Sequence, residues 1–323
     1  MPHQAVWLVL IALAAAAATW AARHYALRGN LMDEPGDRRS HQVATPRGGG
    51  IAIVLVVMAA GLFLSSRQGS IDSLWMAFLP GLLIVAGIGW WDDHRPLSPW
   101  LRLVVQAVAA LMLATGAALQ GGHWFPGVVA FGAAMVLVNV WNFMDGINGL
   151  AVTQAALAAL AYAGMLTGAW HWLALALLAG CLGFLPFNFP SARIFLGDVG
   201  SGALGYSLAG LIAAAAIATP TATPPLLLLP LCVFLIDAGF TLAGRMLRGE
   251  KWWTPHVGHL YQLAARRFGH TPVTLVYTAF GGVSLLLIYM LPTSPWLITA
   301  CVVLLSYVVA GGLWSLLRRG WRE

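Results

Sequence analysis

The 323-residue chain is 60% hydrophobic and only 9% charged, with a mean hydropathy of +0.80, far from the roughly 25% charge of soluble domains. Those values exclude a soluble globular or disordered protein and imply an integral membrane protein. The net charge of +6 reflects arginines that flank apolar runs and face an anionic leaflet, so it does not indicate nucleic-acid binding.

Apolar runs of about 17 to 25 residues predict about eleven membrane spans in chain order. They cover 5–22, 49–65, 74–91, 101–119, 124–141, 149–167, 170–187, 201–219, 225–244, 273–291 and 295–317. The first run lacks a basic leader; Arg23 and Arg28 follow it instead, so it is read as a retained span rather than a cleaved signal. The predicted fold is an all-α polytopic bundle forming one domain over 1–323. With alternating spans, 16 of the 17 basic residues fall on one side and only Arg67 on the other. The positive-inside rule then places the N-terminus outside and the C-terminus in the cytoplasm. Cys181, Cys232 and Cys301 lie in separate apolar runs without CxxC spacing and read as small core residues.

Polar residues are equally lopsided. Outer connections such as GG at 121–122 and TG at 167–168 are bare, whereas most acids and histidines sit in inner segments. The first inner segment, DEPGDRRSHQVATPRGGG at 33–50, holds Arg38, Arg39, His41 and Arg47 before three glycines; it also fits a plain turn into the second span. Span three ends in WWDDHR, where Asp92 and Asp93 sit side by side at a helix C-terminus that repels negative charge. A cation, or a substrate group that accepts a proton or a metal, would relieve that conflict. NVWNFMDGINGLA at 139–151 holds Asn142, Asp145 and Asn148, which also suit turns and caps. In FNFPSARIFLGDVGSG at 187–202, Asn188 and Arg193 precede Asp198 and Ser201, a pair that could simply N-cap span eight. The last inner segment, GRMLRGEKWWTPHVGHLYQ at 244–262, carries His256 and His259, which read either as ligands or as interfacial residues. Asp237 lies inside span nine, a depth at which ionisable residues are functional candidates, although a pairing with Arg245 would also account for it. Four acidic positions, glycine-rich turns and arginines on one membrane face describe a Mg²⁺–phosphate site. Carboxylate oxygens suit that ion, and arginines suit the remaining phosphate oxygens.

These segments, in this order along the whole chain, resemble the polyprenyl-phosphate N-acetylhexosamine-1-phosphate transferases, the family that includes the phospho-N-acetylmuramoyl-pentapeptide translocase. The resemblance implies transfer of a sugar 1-phosphate from a UDP-HexNAc to undecaprenyl phosphate with release of UMP, in a bacterial cytoplasmic (inner) membrane with the site facing the cytoplasm. It implies Asp198 as the ligand of Mg²⁺, with Mn²⁺ as an alternative. Asp145 would lie beside metal and nucleotide, and Asp92 and Asp93 would serve the lipid phosphate in catalysis. Asn188 would sit at the nucleotide pocket and His259 would hold phosphate or sugar. Arg47, Asn142, Asn148, Arg193 and His256, in the same motifs, complete the substrate-binding set. Asn148 stands where the family usually has a second Asp. Val257 and Tyr261 occupy loop positions that often carry an Arg and further histidines. The loop is closest to the branch that starts O-antigen with GlcNAc, FucNAc or QuiNAc, which would make the chain an enzyme of lipopolysaccharide and cell-wall biogenesis. The oligomeric state stays open, a homodimer included. The rivals are a transporter or flippase for a lipid or anionic substrate, which should carry polar residues at mid-membrane, and an intramembrane aspartyl protease. The second is disfavoured because Phe195 replaces the first glycine of its motif.

Overall fold

The eighth apolar run has almost no side chain larger than Leu, and small residues let helices approach closely where lipid offers no hydrophobic drive to associate. In the computed structural model this run forms α8 (Gly197–Ala218), buried without interruption from Val199 to Ala215. The structure describes residues 2–34, 43–68, 72–218, 224–251, 253–254, 256–291 and 295–321; Arg38, Arg39 and His41 of the first inner segment lie outside them.

Around α8 pack α3 (Ser73–His94), α4 (Pro99–Gly121) and α5 (Trp124–Phe143). A second group comprises α1 (Pro2–Arg28), α2 (Ile51–Ser66), α6 (Leu150–Met165) and α7 (Gly168–Asn188). The third contains a 3₁₀ helix (Pro224–Leu231) that runs into α9 (Cys232–Leu247), with α11 (His270–Met290) and α12 (Trp296–Gly320). A two-stranded antiparallel pair, β1 (Met32–Asp33) with β2 (Thr45–Pro46), precedes α2. The nine-residue α10 (Leu260–Phe268) begins at the end of the last inner segment and lies between α9 and α11.

Nine of the described helical segments are long and apolar enough to cross a membrane by length and composition. The two remaining predicted spans are α2 and α6, which are apolar but have 16 residues each. At 1.5 Å per residue each is about 24 Å long, short of a hydrocarbon core of roughly 30 Å. Span nine is also not α-helical throughout. Its 3₁₀ start leaves carbonyls for other donors, and Tyr162 and Tyr307 hydroxyls bond the Leu227 and Leu228 oxygens at 2.8 and 2.9 Å.

The ends of these helices determine where chemistry can occur. Gly49 and Gly50 N–H groups donate to Phe195 and Leu196 carbonyls at 2.9 and 2.8 Å, and Phe195 N–H donates to Pro46 O at 2.8 Å. A Cβ on Gly50 would overlap the Gly200 backbone. The triple glycine therefore permits a close approach of α2 to α8, and two of its amides are already paired with protein carbonyls. Gly89 does the same between α3 and α8, where a Cβ would overlap the Asp198 carbonyl. The motifs that follow α1, α3, α5 and α7 thus meet at one end of the bundle, around the start of α8.

Candidate active site

Asp93 resolves its own electrostatic conflict. Its carboxylate, 1% exposed as a residue, accepts N–H bonds from Asp198 at 3.0 Å and Val199 at 3.1 Å. A charge placed unfavourably at the end of α3 is placed favourably at the start of α8. Asp198 is consequently not the cap of α8: it lies in the first turn, and its carboxylate turns elsewhere, to Asn142 Nδ2 on one oxygen and to Arg102 Nη1 at 3.2 Å on the other. Asn142 also reaches Ser201 Oγ at 3.2 Å.

Asp92 points the other way. The chain reverses over Pro96–Ser98, and Pro99 opens α4 at a position where its missing N–H costs nothing. Leu97 N–H donates to Asp92 at 2.6 Å, and Arg102, one turn into α4, bonds the other Asp92 oxygen. One guanidinium nitrogen thus joins Asp92 to Asp198.

These groups line a cavity of about 540 Å³, together with Asp145, Gln106 and Asn139 on one side and Trp253, Thr254, His256 and His259 on the other. Asp145 follows α5 in the turn before α6. Its carboxylate has no hydrogen-bond partner among the described residues, and burial, then the charges of Asp198 and Asp93, push its pKa well above the usual carboxylate range. A carboxylate so placed suits a cation rather than another acid.

The histidine wall is built from α10. Leu260 and Tyr261 N–H groups donate to Asp237 at 2.8 and 3.0 Å, so a carboxylate of α9 caps α10. Tyr277 Oη and Trp314 Nε1 also donate to Asp237, at 2.9 and 3.0 Å. Asp237 is saturated by protein donors, which accounts for its depth without a substrate. Arg245 turns instead to Glu250 at 2.8 Å and to Thr254 and Lys251, shaping the loop that carries Trp253 and His256. The rings of His256 and His259 stack with centroids 4.7 Å apart. Burial, followed by the charges of His259 and Arg245, lowers His256 to about 4, and burial lowers His259 too. Two neutral imidazoles face the cavity, and His259 Nδ1 is buried without a partner among the described residues.

Several expected site residues lie outside this cavity. Arg47 donates to the Asp93 main-chain carbonyl, behind the carboxylates. Asn188 is buried and uses both ends of its amide on main chain, accepting from Gly149 at 2.8 Å and donating to Ile194 at 3.0 Å. Asn148 donates to Pro190 O at 3.0 Å and its carbonyl accepts from Thr274 at 2.8 Å. Arg193 is exposed and folds back over Phe187 and the Pro186 carbonyl. Asn148 and Asn188 thereby stitch the 142–149 turn to the 189–196 loop. Arg102 is the charged residue of the cavity that sequence reasoning passed over. Its signal, an ionisable side chain within an apolar run, is of the same kind as the one that singled out Asp237.

Residues 75–216 match the family model described as Glycosyl transferase family 4. A decaprenyl-phosphate N-acetylglucosaminephosphotransferase of Mycobacterium tuberculosis is 30% identical, covering 97% of this chain and 90% of the relative. A probable undecaprenyl-phosphate N-acetylglucosaminyl 1-phosphate transferase of Bacillus subtilis is 28% identical over 80% of this chain and 76% of its own length. A phospho-N-acetylmuramoyl-pentapeptide-transferase of Moorella thermoacetica is 34% identical over 65% and 74%. Three carboxylates, a bridging arginine and a wall of neutral histidines at the end of an apolar bundle are thus the setting in which this chain belongs to glycosyl transferase family 4, with the polyprenyl-phosphate N-acetylhexosamine-phosphate transferases.

Proposed function

We propose that the protein transfers an N-acetylhexosamine 1-phosphate from a UDP-sugar to undecaprenyl phosphate and releases UMP, at the cytoplasmic face of a bacterial inner membrane. The observation that carries this reading is the convergence of Asp92, Asp145, Asp198 and Arg102 on one cavity. An oxygen of the lipid phosphate attacks the sugar-bearing phosphorus; the new P–O bond forms as the bond to UMP breaks, and the lipid becomes a diphosphate. Both reactants are anionic, so positioning and charge cancellation carry most of the catalysis. Asp92, facing the cavity, is the group that takes a proton from a monoprotonated acceptor phosphate. Asp93, whose oxygens serve α8, positions the start of that helix. His256 and His259, held neutral, suit sugar hydroxyl and acetamido groups better than phosphate.

Charge counting supports a divalent cation. Four carboxyl groups (Asp92, Asp93, Asp145 and Asp198) face two guanidiniums (Arg47 and Arg102), an acid-rich balance that, after burial, pushes the pKa of Asp145 up and that a divalent cation would relieve. Mg²⁺ takes one or two protein carboxylates and completes its shell with waters and substrate phosphates, a demand that Asp145 and Asp198 on one cavity would meet. Asp198 and Asp145 would hold it, and bound there it would neutralise the diphosphate and polarise its leaving oxygen. A consequence separates function from stability at Asp145. In EDTA, Asp145→Asn should melt above wild type, because it replaces a buried carboxyl whose ionisation burial and the neighbouring acids make costly, whereas with Mg²⁺ and substrates it should turn over far more slowly. A lower melting temperature in EDTA would sink this assignment.

A panel of UDP-sugars with undecaprenyl phosphate and Mg²⁺, followed by UMP release, tests the reaction and names the sugar. UDP-GlcNAc is the first candidate, since relatives named for N-acetylglucosamine align over most of the chain, with FucNAc and QuiNAc donors beside it. No release with any donor would refute the reading. A transporter is disfavoured by Asp237, the deep acid it would need, which is fully engaged by the protein. The proposed topology has eleven crossings, with α2 and α6 as short ones. Reporter fusions after 145, 195 and 260 should then read as cytoplasmic and one after 122 as periplasmic. A periplasmic signal at 195 would overturn it.

A further inference from the structure

We propose that Arg102 is a partner-switching cation: its Nη1 holds Asp92 and Asp198 together before metal binds, and its free edge receives the phosphate of the lipid acceptor. The inference rests on the transferase reading for its second half only.

Arg102 is placed against its own helix. A cation in the first turn of α4 meets the positive end of the helix dipole, as Asp92 meets the negative end of α3. Two charges so placed are held by each other and by Asp198. Arg102 Nη1 bonds Asp92 Oδ2 and lies 3.2 Å from Asp198 Oδ2. The side chain remains 26% exposed while lining the cavity. Among the described residues, Nε and Nη2 make no hydrogen bond. A guanidinium carries five N–H donors in a rigid fork, and using Nη1 alone for both carboxylates leaves the Nε–Nη2 edge whole. That edge is the one that grips a phosphate with two parallel bonds.

The same geometry sets Arg102 and a divalent cation in competition for Asp198. Without metal, the guanidinium is the group that keeps two carboxylates from repelling each other across the helix ends. With metal on Asp198 and Asp145, that work passes to the ion and the guanidinium charge becomes available to the acceptor. Lys could balance one carboxylate but has no bidentate edge to present.

The test uses full-length protein in detergent, with Arg102→Met and Arg102→Lys. In EDTA, Arg102→Met should melt several degrees below wild type. MnCl₂ should then raise its melting temperature by at least twice the wild-type shift, and Mn²⁺ titrated by EPR should bind it at least threefold more tightly. Melting in EDTA at or above wild type, or unchanged or weaker Mn²⁺ binding, would overturn the holding role. Should Arg102→Met not survive purification, Arg102→Gln carries the same comparison. Arg102→Lys should raise KM for undecaprenyl phosphate by about tenfold, the equivalent of one good bond, and leave KM for UDP-GlcNAc within twofold. A KM rise confined to the nucleotide sugar would overturn the acceptor role. If wild type releases UMP from no donor, the transferase reading fails, while the EDTA and Mn²⁺ comparisons still decide whether Arg102 holds the carboxylates.

Discussion

Asp198→Asn yields a protein that inserts and melts like wild type in EDTA but whose UMP release falls by more than about 100-fold, the upper end of the cost of losing even an outer partner of a metal. The expectation of normal folding comes from the caps. Asp93, not Asp198, accepts the first N–H groups of α8, so the substitution removes no cap. Asn keeps the shape of Asp and can still accept a bond from Arg102 or Asn142. What it loses is charge, which is what a hard cation requires. UMP release at saturating substrates, beside a melting curve in the same detergent, measures both halves. Wild-type turnover in this variant would remove Asp198 from the metal site.

The neighbouring carboxylates should part company when each is changed. Asp93→Asn leaves one α8 N–H facing an amide NH₂ instead of an oxygen, and it removes the anion from the helix N-terminus. A buried charge-assisted pair of this kind is worth about 1–3 kcal/mol, so the variant should melt clearly below wild type. Asp92→Asn keeps its acceptor for Leu97 N–H and loses its bond to Arg102, which retains Asp198 as a partner. It should therefore cost less stability than Asp93→Asn, but it should lose about 10²-fold or more in rate if a general base is removed. The double variant should combine the stability of the first with the rate of the second. Equal melting temperatures in the two single variants would refute the division of labour between Asp92 and Asp93.

Adjacency hid that division from the sequence. Consecutive helical residues point about 100° apart, yet nothing in WWDD tells which face meets α8. The conflict of both acids with the α3 dipole was legible; that a second helix start would resolve it for one of them required the fold. Arg102 was hidden differently: as one of many inner-side arginines it served the topology, and only its approach to two carboxylates makes it a site residue. Asp145 and Asp198 come from short, glycine-rich inner segments that the sequence singled out, and the fold brings both to one cavity. Asn188 and Asn148 come from the same motifs, but amides can bond substrate or main chain equally well, and here their described bonds go to main chain. The long spans were legible throughout, because apolar length is a property of sequence. The 3₁₀ start of span nine was not, since its support comes from tyrosines on α6 and α12.

The two trans caps have a consequence for how this molecule can attract an anion at all. Helix starts are ready-made phosphate seats, and this cavity is bordered by those of α4, α8 and α10. The starts of α8 and α10 are already filled from within, by Asp93 and Asp237, and the start of α4 carries Arg102 in its first turn. A diphosphate bound here would find the amides that open α8 and α10 already taken, and would lean on an arginine side chain and an ion drawn from solution. Affinity for the donor is then a property the surroundings can switch off. A chelator should abolish substrate binding itself, and not only turnover, while leaving the bundle standing.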